Sequence, residues 1–230
     1  MPGVKEHLPA AFLPKAVVFD LDGTLVDSVP DIQAALNWLL ARLGRREVAR
    51  DEVVAMVGDG VPRLVERGLL ATGGLPDGGP TAAFTAHYEA NATALTRPFP
   101  GAVAALTALR DAGCTLAVCT NKPAGATAEI LGALDLAPFF AAVAGGDTVP
   151  GARKPDPRHL MHVLDQLGVA PGDAVMVGDS HNDVNVAKAA GVVTVAVTFG
   201  YAHGPVGELG ADVLIDHFDD LVAALGRLPD

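Results

Sequence analysis

The feature that most narrows what this chain can fold into is a series of short, unbroken apolar runs, most of them followed by a stretch with helical spacing. The runs are "AVVFD" (16–20), "TLAVCT" (115–120), "FAAVAG" (140–145), "AVMVGD" (174–179), "VTVAVT" (193–198) and "DVLID" (212–216). They do not alternate polar with apolar residues, so they read as strands covered on both faces, as in a parallel sheet. Helical patterns lie between most of them, over Val103–Leu109, Ala126–Leu136, Leu160–Leu167 and Val184–Ala190. This alternation predicts an α/β, doubly wound parallel sheet of Rossmann-like type, whose ligands sit at the carboxyl ends of the strands.

One stretch breaks the alternation. From about Val29 to Arg97 there are helical patterns and no strand. Ser28 with Asp31 three residues on suggests a capping box. Ile32, Leu36, Leu39, Leu40 and Leu43 follow as an apolar stripe, with Trp38 half exposed. "DEVVAMVG", "PRLVERGLL" and Thr81–Leu95 read as further helices, and the Gly/Pro-rich "TGGLPDGGP" as a connector. The expected organisation is a core built from residues 1–28 and 98–230, with residues 29–97 inserted after the first strand.

Composition removes several functions. A net charge of −11 argues against nucleic-acid and anionic-membrane partners, which demand a basic surface. No apolar run approaches the roughly 18 residues of a membrane span, and "MPGVKEHLPAAFLPK" contains no continuous hydrophobic region, so a cytoplasmic location is expected. Cys114 and Cys119 form no zinc-type pair and read as buried reduced thiols. His181, His203 and His217 are too scattered for a metal cluster.

Four polar clusters close predicted strands or lie just beyond them: Asp20-Leu21-Asp22-Gly23-Thr24, Thr120-Asn121-Lys122, Lys154, and "GDSHND" with Asp179 and Asp183. In a doubly wound sheet these ends converge on one crevice. Asp20, Asp22 and Asp179 offer hard oxygen donors suited to Mg²⁺, which accepts one or two carboxylates beside waters and phosphate. Thr120 brings a hydroxyl to a helix start, an anion site, and Lys154 brings a positive charge. Pro155 restricts where that lysine points, and Asp156 with Pro157 reads as the N-cap and first position of the next helix. Asp183, four residues after Asp179, shares its face if a helix begins there.

Taken together, Asp20–Thr24, Thr120, Lys154 and the GDxxxD of Asp179 and Asp183 resemble, in order and spacing, the four motifs of the haloacid dehalogenase superfamily. "FDLDGTLVDSVPDI", "PFPGAVAALTALR", "CTNKP", "KPDP" and "GDSHNDVNVAKAAG" look most like the phosphoglycolate phosphatases within it. The resemblance implies a cap in the 29–97 insertion and a Mg²⁺-dependent phosphatase acting on a small phosphate ester, with 2-phosphoglycolate favoured. It implies that Asp20 attacks phosphorus to form an aspartyl phosphate, and that Asp22, protonated when substrate arrives, serves the leaving alkoxide and then the water. Mg²⁺ would be held by Asp20, Asp179 and the backbone carbonyl of Asp22. Thr120, the Asn121 amide and Lys154 would hold the phosphoryl oxygens, Asp183 would orient the metal shell or Lys154, and Gly23 would supply a tight turn.

Arg63 and Arg67 lie four apart on a predicted helix and would share a face, from which they could bind a substrate carboxylate; a solvated face accounts for them equally well. "VGDG" (57–60) has the look of a loop reaching toward the site. Other readings stay open. A dehalogenase leaves Asp22 without an alkoxide to protonate, whereas a β-phosphoglucomutase-like or broad sugar phosphotransferase would share the core. A phosphoaspartate receiver domain would carry its nucleophile on the third strand, and a non-catalytic binding protein should lack at least one cluster. A monomer or a homodimer is compatible with the sequence.

Overall fold

The computed structural model describes residues 13–76 and 79–228. Most of the N-terminal segment read above for targeting, and two residues of the Gly/Pro-rich connector, lie outside the described residues. The first strand, β1 (Ala16–Phe19), is fully buried and leads through a tight turn into a two-residue strand, β2 (Val26–Asp27). Four helices follow: α1 (Val29–Arg42), α2 (Arg50–Val54), α3 (Val61–Ala71) and α4 (Thr81–Glu89). The chain returns through β3 (Arg97–Pro98), which pairs antiparallel with β2, Val26 opposite Pro98 and Asp27 opposite Arg97.

The alternating part then runs α5 (Ala102–Asp111), β4 (Thr115–Cys119), α6 (Ala124–Ala133), β5 (Ala142–Ala144), α7 (Pro157–Leu167), β6 (Ala174–Gly178), α8 (His181–Ala190), β7 (Val193–Val197), β8 (Val213–Ile215) and α9 (Leu221–Leu225). Six strands form one parallel sheet in the order β5-β4-β1-β6-β7-β8. Each predicted strand is present, trimmed by one to three residues at its ends.

Period-two alternation divides the sheet. Val17, Phe19, Leu116, Val118, Val175 and Val177 face a core shared with α5, α6 and α9, and that core continues into the insertion through Ile32, Leu36 and Leu40. Val18, Ala117, Cys119 and Met176 face the opposite way, against Leu160, Val163 and Leu164 of α7 and Val186 of α8. Burial on both faces is why the strands are continuous apolar runs. Both cysteines are free and buried, as expected. No helix among the described residues is long and apolar enough to cross a membrane.

Two local readings change. Ser28 and Asp31 do not form a capping box: Ser28 makes no side-chain cap bond, and its hydroxyl donates instead to Asp22 Oδ1 at 2.5 Å. Asp31 is buried and accepts from the N–H of Leu95 (3.0 Å), the N–H of Thr96 (2.7 Å) and the Thr96 hydroxyl (2.7 Å). It fastens the end of the insertion to its beginning. Leu43, at the end of the predicted stripe, is exposed because α1 stops at Arg42. The N-cap of α7 matches its sequence signal, Asp156 accepting from the Arg158 N–H at 3.0 Å with Pro157 next.

Candidate active site

β4, β1 and β6 lie side by side, so Thr120, Asp20 and Asp179, each one residue past a strand end, come together at one edge of the sheet. The sheet order reverses here, with β4 to one side of β1 and β6 to the other, which opens a crevice. Lys154, in the loop between β5 and α7, reaches into it from beside them.

Lys154 is buried, its Nζ 2.8 Å from Asp20 Oδ1 and 2.6 Å from Asp183 Oδ1. Burial alone would discharge this lysine, but Asp183 and Asp20 outweigh it and push its pKa above the ordinary value. The other Asp183 oxygen accepts from the N–H groups of Asp179 (3.1 Å) and Ser180 (3.0 Å) and from the Ser180 hydroxyl (2.7 Å). Both oxygens of Asp183 are therefore committed to positioning its neighbours.

Asp20 and Asp179 are less well served. Asp20 Oδ1 has the Lys154 ion contact but no well-directed hydrogen bond among the described residues. Burial, against the pull of Lys154 and with the push of Asp183, raises its pKa from 3.8 to about 6. Burial together with Asp183 and Asp20 raises Asp179 well above the usual carboxylate range. One oxygen each from Asp20, Asp179 and Asp183 lies within 4.8 Å of the others. Buried carboxylates so close together want a cation, and a donor set of oxygens alone suits a hard one. The residues fit Mg²⁺.

Two glycines make the cluster possible. Gly23 has φ +83°, and a Cβ there would stand 2.1 Å from Asp179 Oδ2. A Cβ on Gly200 would stand 2.3 Å from the Cβ of Asp179 and 2.4 Å from the Gly23 carbonyl. The next residue, Tyr201, donates its N–H to Asp179 Oδ2, while its hydroxyl accepts from the N–H groups of Ser28 (2.9 Å) and Val29 (3.2 Å).

Asp22 is met as half of an ion pair. Both its oxygens lie 2.9 Å from Lys122 Nζ, and the lysine is buried. Burial would lower the Lys122 pKa, but Asp22 outweighs it and raises it. The same ammonium lies 4.7 Å from the centre of the Tyr88 ring, on α4. Thr120 is buried, its N–H donating to Ala144 O (3.0 Å) and its hydroxyl accepting weakly from the Lys122 N–H (3.3 Å). The helix expected directly after it begins only at Ala124. Asn121 spends its side-chain amide on the carbonyls of Gly58 and Lys154, both at 3.0 Å. The 57–60 loop therefore does reach the site, with Asn182 Nδ2 donating to Asp59 at 2.9 Å as a second tie.

The two arginines stand apart. Arg63 pairs with Glu66 at 2.5 Å on an exposed face, and Arg67 is held by Asp59 and by the Met56 carbonyl at 2.9 Å. Neither lines the cavity, which is bounded by Asp20, Asp22, Thr120, Asn121, Lys122 and Asp179 on the sheet side and by apolar residues of the insertion and Tyr88 opposite. Sequence reasoning placed Lys122 in a polar cluster without giving it a role, and passed over Tyr88 and Tyr201. Only Lys122 carried a signal, as a lysine one residue past the Thr-Asn pair.

This constellation on a six-stranded parallel sheet belongs to a class of hydrolases, and comparison with known proteins defines it. A family model described as haloacid dehalogenase-like hydrolase matches residues 14–191, and the chain belongs to that family. Within it, the chain is 45% identical over 222 residues to a phosphoglycolate phosphatase of Rhodospirillum rubrum, covering 93% of this chain and 92% of the relative. It is 44% identical over 216 residues to a phosphoglycolate phosphatase of Cereibacter sphaeroides, covering 92% and 98%. The crystal structure of a predicted phosphoglycolate phosphatase from Haemophilus somnus superposes with a TM-score of 0.86 at 30% identity, covering 91% of this chain and 96% of that one.

Proposed function

We propose that this chain is a cytoplasmic, Mg²⁺-dependent phosphatase that hydrolyses 2-phosphoglycolate to glycolate and phosphate. The observation that carries the reading is the meeting of Asp20, Thr120 and Asp179 at three neighbouring strand ends around one cavity, with Lys154 of an adjoining loop held against Asp20 at 2.8 Å. The names of the relatives above support the substrate.

In this mechanism a carboxylate oxygen of Asp20 attacks phosphorus, and the bond to the ester oxygen breaks, leaving glycolate and an aspartyl phosphate. Asp22, an ion-paired carboxylate in the free protein, takes up a proton as substrate binds and delivers it to the departing alkoxide. It then takes one from the water whose oxygen attacks the phosphoenzyme, which returns Asp20 and releases phosphate. The Lys122 contact sets where the Asp22 carboxylate stands and balances it while the proton is away. Lys154 and the Thr120 hydroxyl hold phosphoryl oxygens, and with the Asn121 side chain committed to two carbonyls its backbone N–H is the group left for a third contact. Asp20, Asp179 and the main-chain carbonyl of Asp22 would hold the cation, whose chemistry is to neutralise negative charge on the phosphoryl group. The 29–97 insertion acts as the cap over this site.

The test is phosphate release from a panel of phosphate esters with Mg²⁺, repeated with EDTA and with Asp20→Asn. The reading expects preference for 2-phosphoglycolate, loss of turnover in both controls, and recovery on adding Mg²⁺ back to the EDTA sample. Turnover that survives Asp20→Asn and EDTA overturns the mechanism. Preference for hexose phosphates, or transfer of phosphate to a sugar acceptor, overturns the substrate.

A further inference from the structure

The insertion contributes Ile32, Val57, Val61, Leu64 and Phe84 to the wall opposite the carboxylates, all apolar. Among the described residues of that wall one side chain is polar, Tyr88. It is 3% exposed, and its hydroxyl makes no well-directed hydrogen bond among the described residues, the polar group beside it being the Lys122 ammonium. Buried hydroxyls are nearly always paired, so an unpaired one at a binding cavity calls for an explanation. The packing around it is otherwise well made: the ring stacks on Phe84, centroids 5.7 Å apart, and presents its face to the Lys122 ammonium at 4.7 Å.

We propose that Tyr88 is a specificity-determining residue whose hydroxyl, beside the Lys122 ammonium, binds the carboxylate of a short phosphorylated acid. This rests on the phosphatase reading above and assigns to Tyr88 and Lys122 the recognition that helical spacing suggested for Arg63 and Arg67. The chemistry matches at both ends. A carboxylate accepts from a phenol and is attracted by an ammonium, while a two-carbon stem asks nothing polar of the surrounding apolar wall. A hexose phosphate would bring several hydroxyls against side chains that cannot pair with them, and each stranded group weakens binding.

The experiment compares kcat/KM for 2-phosphoglycolate with that for ethyl phosphate, which has the same chain length and no carboxylate, in the wild type and in Tyr88→Phe. The ring and its packing are kept. Loss of one hydrogen bond to a charged group should lower the 2-phosphoglycolate-to-ethyl-phosphate ratio by about ten- to hundred-fold. Because the hydroxyl makes no well-directed hydrogen bond in the free protein, Tyr88→Phe should melt at or above the wild-type temperature. A high wild-type ratio that survives the substitution overturns the role of Tyr88 alone. A wild-type ratio near one overturns the 2-phosphoglycolate reading and this inference with it. A Tyr88→Phe melting temperature below the wild type would show the hydroxyl to be paired before substrate arrives, and would also overturn the inference.

Discussion

Lys122 and Asp22 form a buried ion pair in which one ammonium lies 2.9 Å from both carboxylate oxygens. Removing one partner of such a pair strands the other, which costs about 3–5 kcal/mol. Lys122→Met is therefore expected to destabilise the fold and to slow turnover. In a double-mutant cycle with Asp22→Asn, urea unfolding should show the two losses to be less than additive, with a coupling of about 1–3 kcal/mol. Strict additivity would mean the two side chains do not depend on one another.

Gly200 lies against the Asp179 side chain, with room for no further atom. Gly200→Ala must displace Asp179 or the Gly23 turn, at a typical overpacking cost of about 1–3 kcal/mol. The expected result is a folded protein with weakened Mg²⁺ binding, read by calorimetry, and reduced turnover that high Mg²⁺ partly restores.

Asp20 links stability to pH. Its folded pKa, about 6, lies above its ordinary value of 3.8, so between those values the folded chain binds the proton that the unfolded chain releases. Stability from this group is present below the lower value and is lost as pH rises through about 6. The shift corresponds to roughly 3 kcal/mol as an upper bound. In EDTA, Asp20→Asn should thus gain stability relative to wild type as pH rises from about 4 to about 6, and hold that gain above it, as measured by thermal unfolding at each pH. A constant difference would remove Asp20 as the origin.

Arg63 is expected to be silent. Its pair with Glu66 is exposed, and pairs of that kind contribute about 0–1 kcal/mol at most. Arg63→Ala should leave kcat/KM for 2-phosphoglycolate within about two-fold of wild type, and a selective rise in KM would bring the arginine back into the site.

Asp31 gives the last expectation. Its carboxylate serves three donors on Leu95 and Thr96, and Asp31→Ala leaves the two on Thr96 buried without a partner. A loss of roughly 2–4 kcal/mol follows, visible as a lower urea midpoint.

How much of this was legible in the sequence depends on how far each residue's meaning lies from its neighbours. The strands were readable because burial on both faces leaves an unbroken apolar run, and the polar residues closing them mark the end at which ligands bind. Asp20, Thr120, Lys154 and Asp179 followed from that rule. Arg63 and Arg67 show its limit: spacing places two residues on one face of a helix but does not say which way the face looks. Ser28 and Asp31 had the spacing of a capping box, yet each had a stronger partner elsewhere in the fold, Asp22 for one and Thr96 for the other. The pairing of Lys122 with Asp22 spans a hundred residues, and Tyr88 lies on a helix whose two aromatics, Phe84 and Tyr88, read locally as core residues. Such pairs exist only after the chain has folded.

The short ribbon of β2 and β3 has a consequence for how such a protein can be remodelled. Since Asp27 lies opposite Arg97, the chain leaves the sheet and rejoins it at one point, and the entropy of bringing those ends together is borne by the ribbon rather than by whatever lies between. The wall opposite the carboxylates thus hangs from one fixed pair of ends. A segment of different length and lining, spliced between the two strands, would meet the same carboxylates and the same lysine.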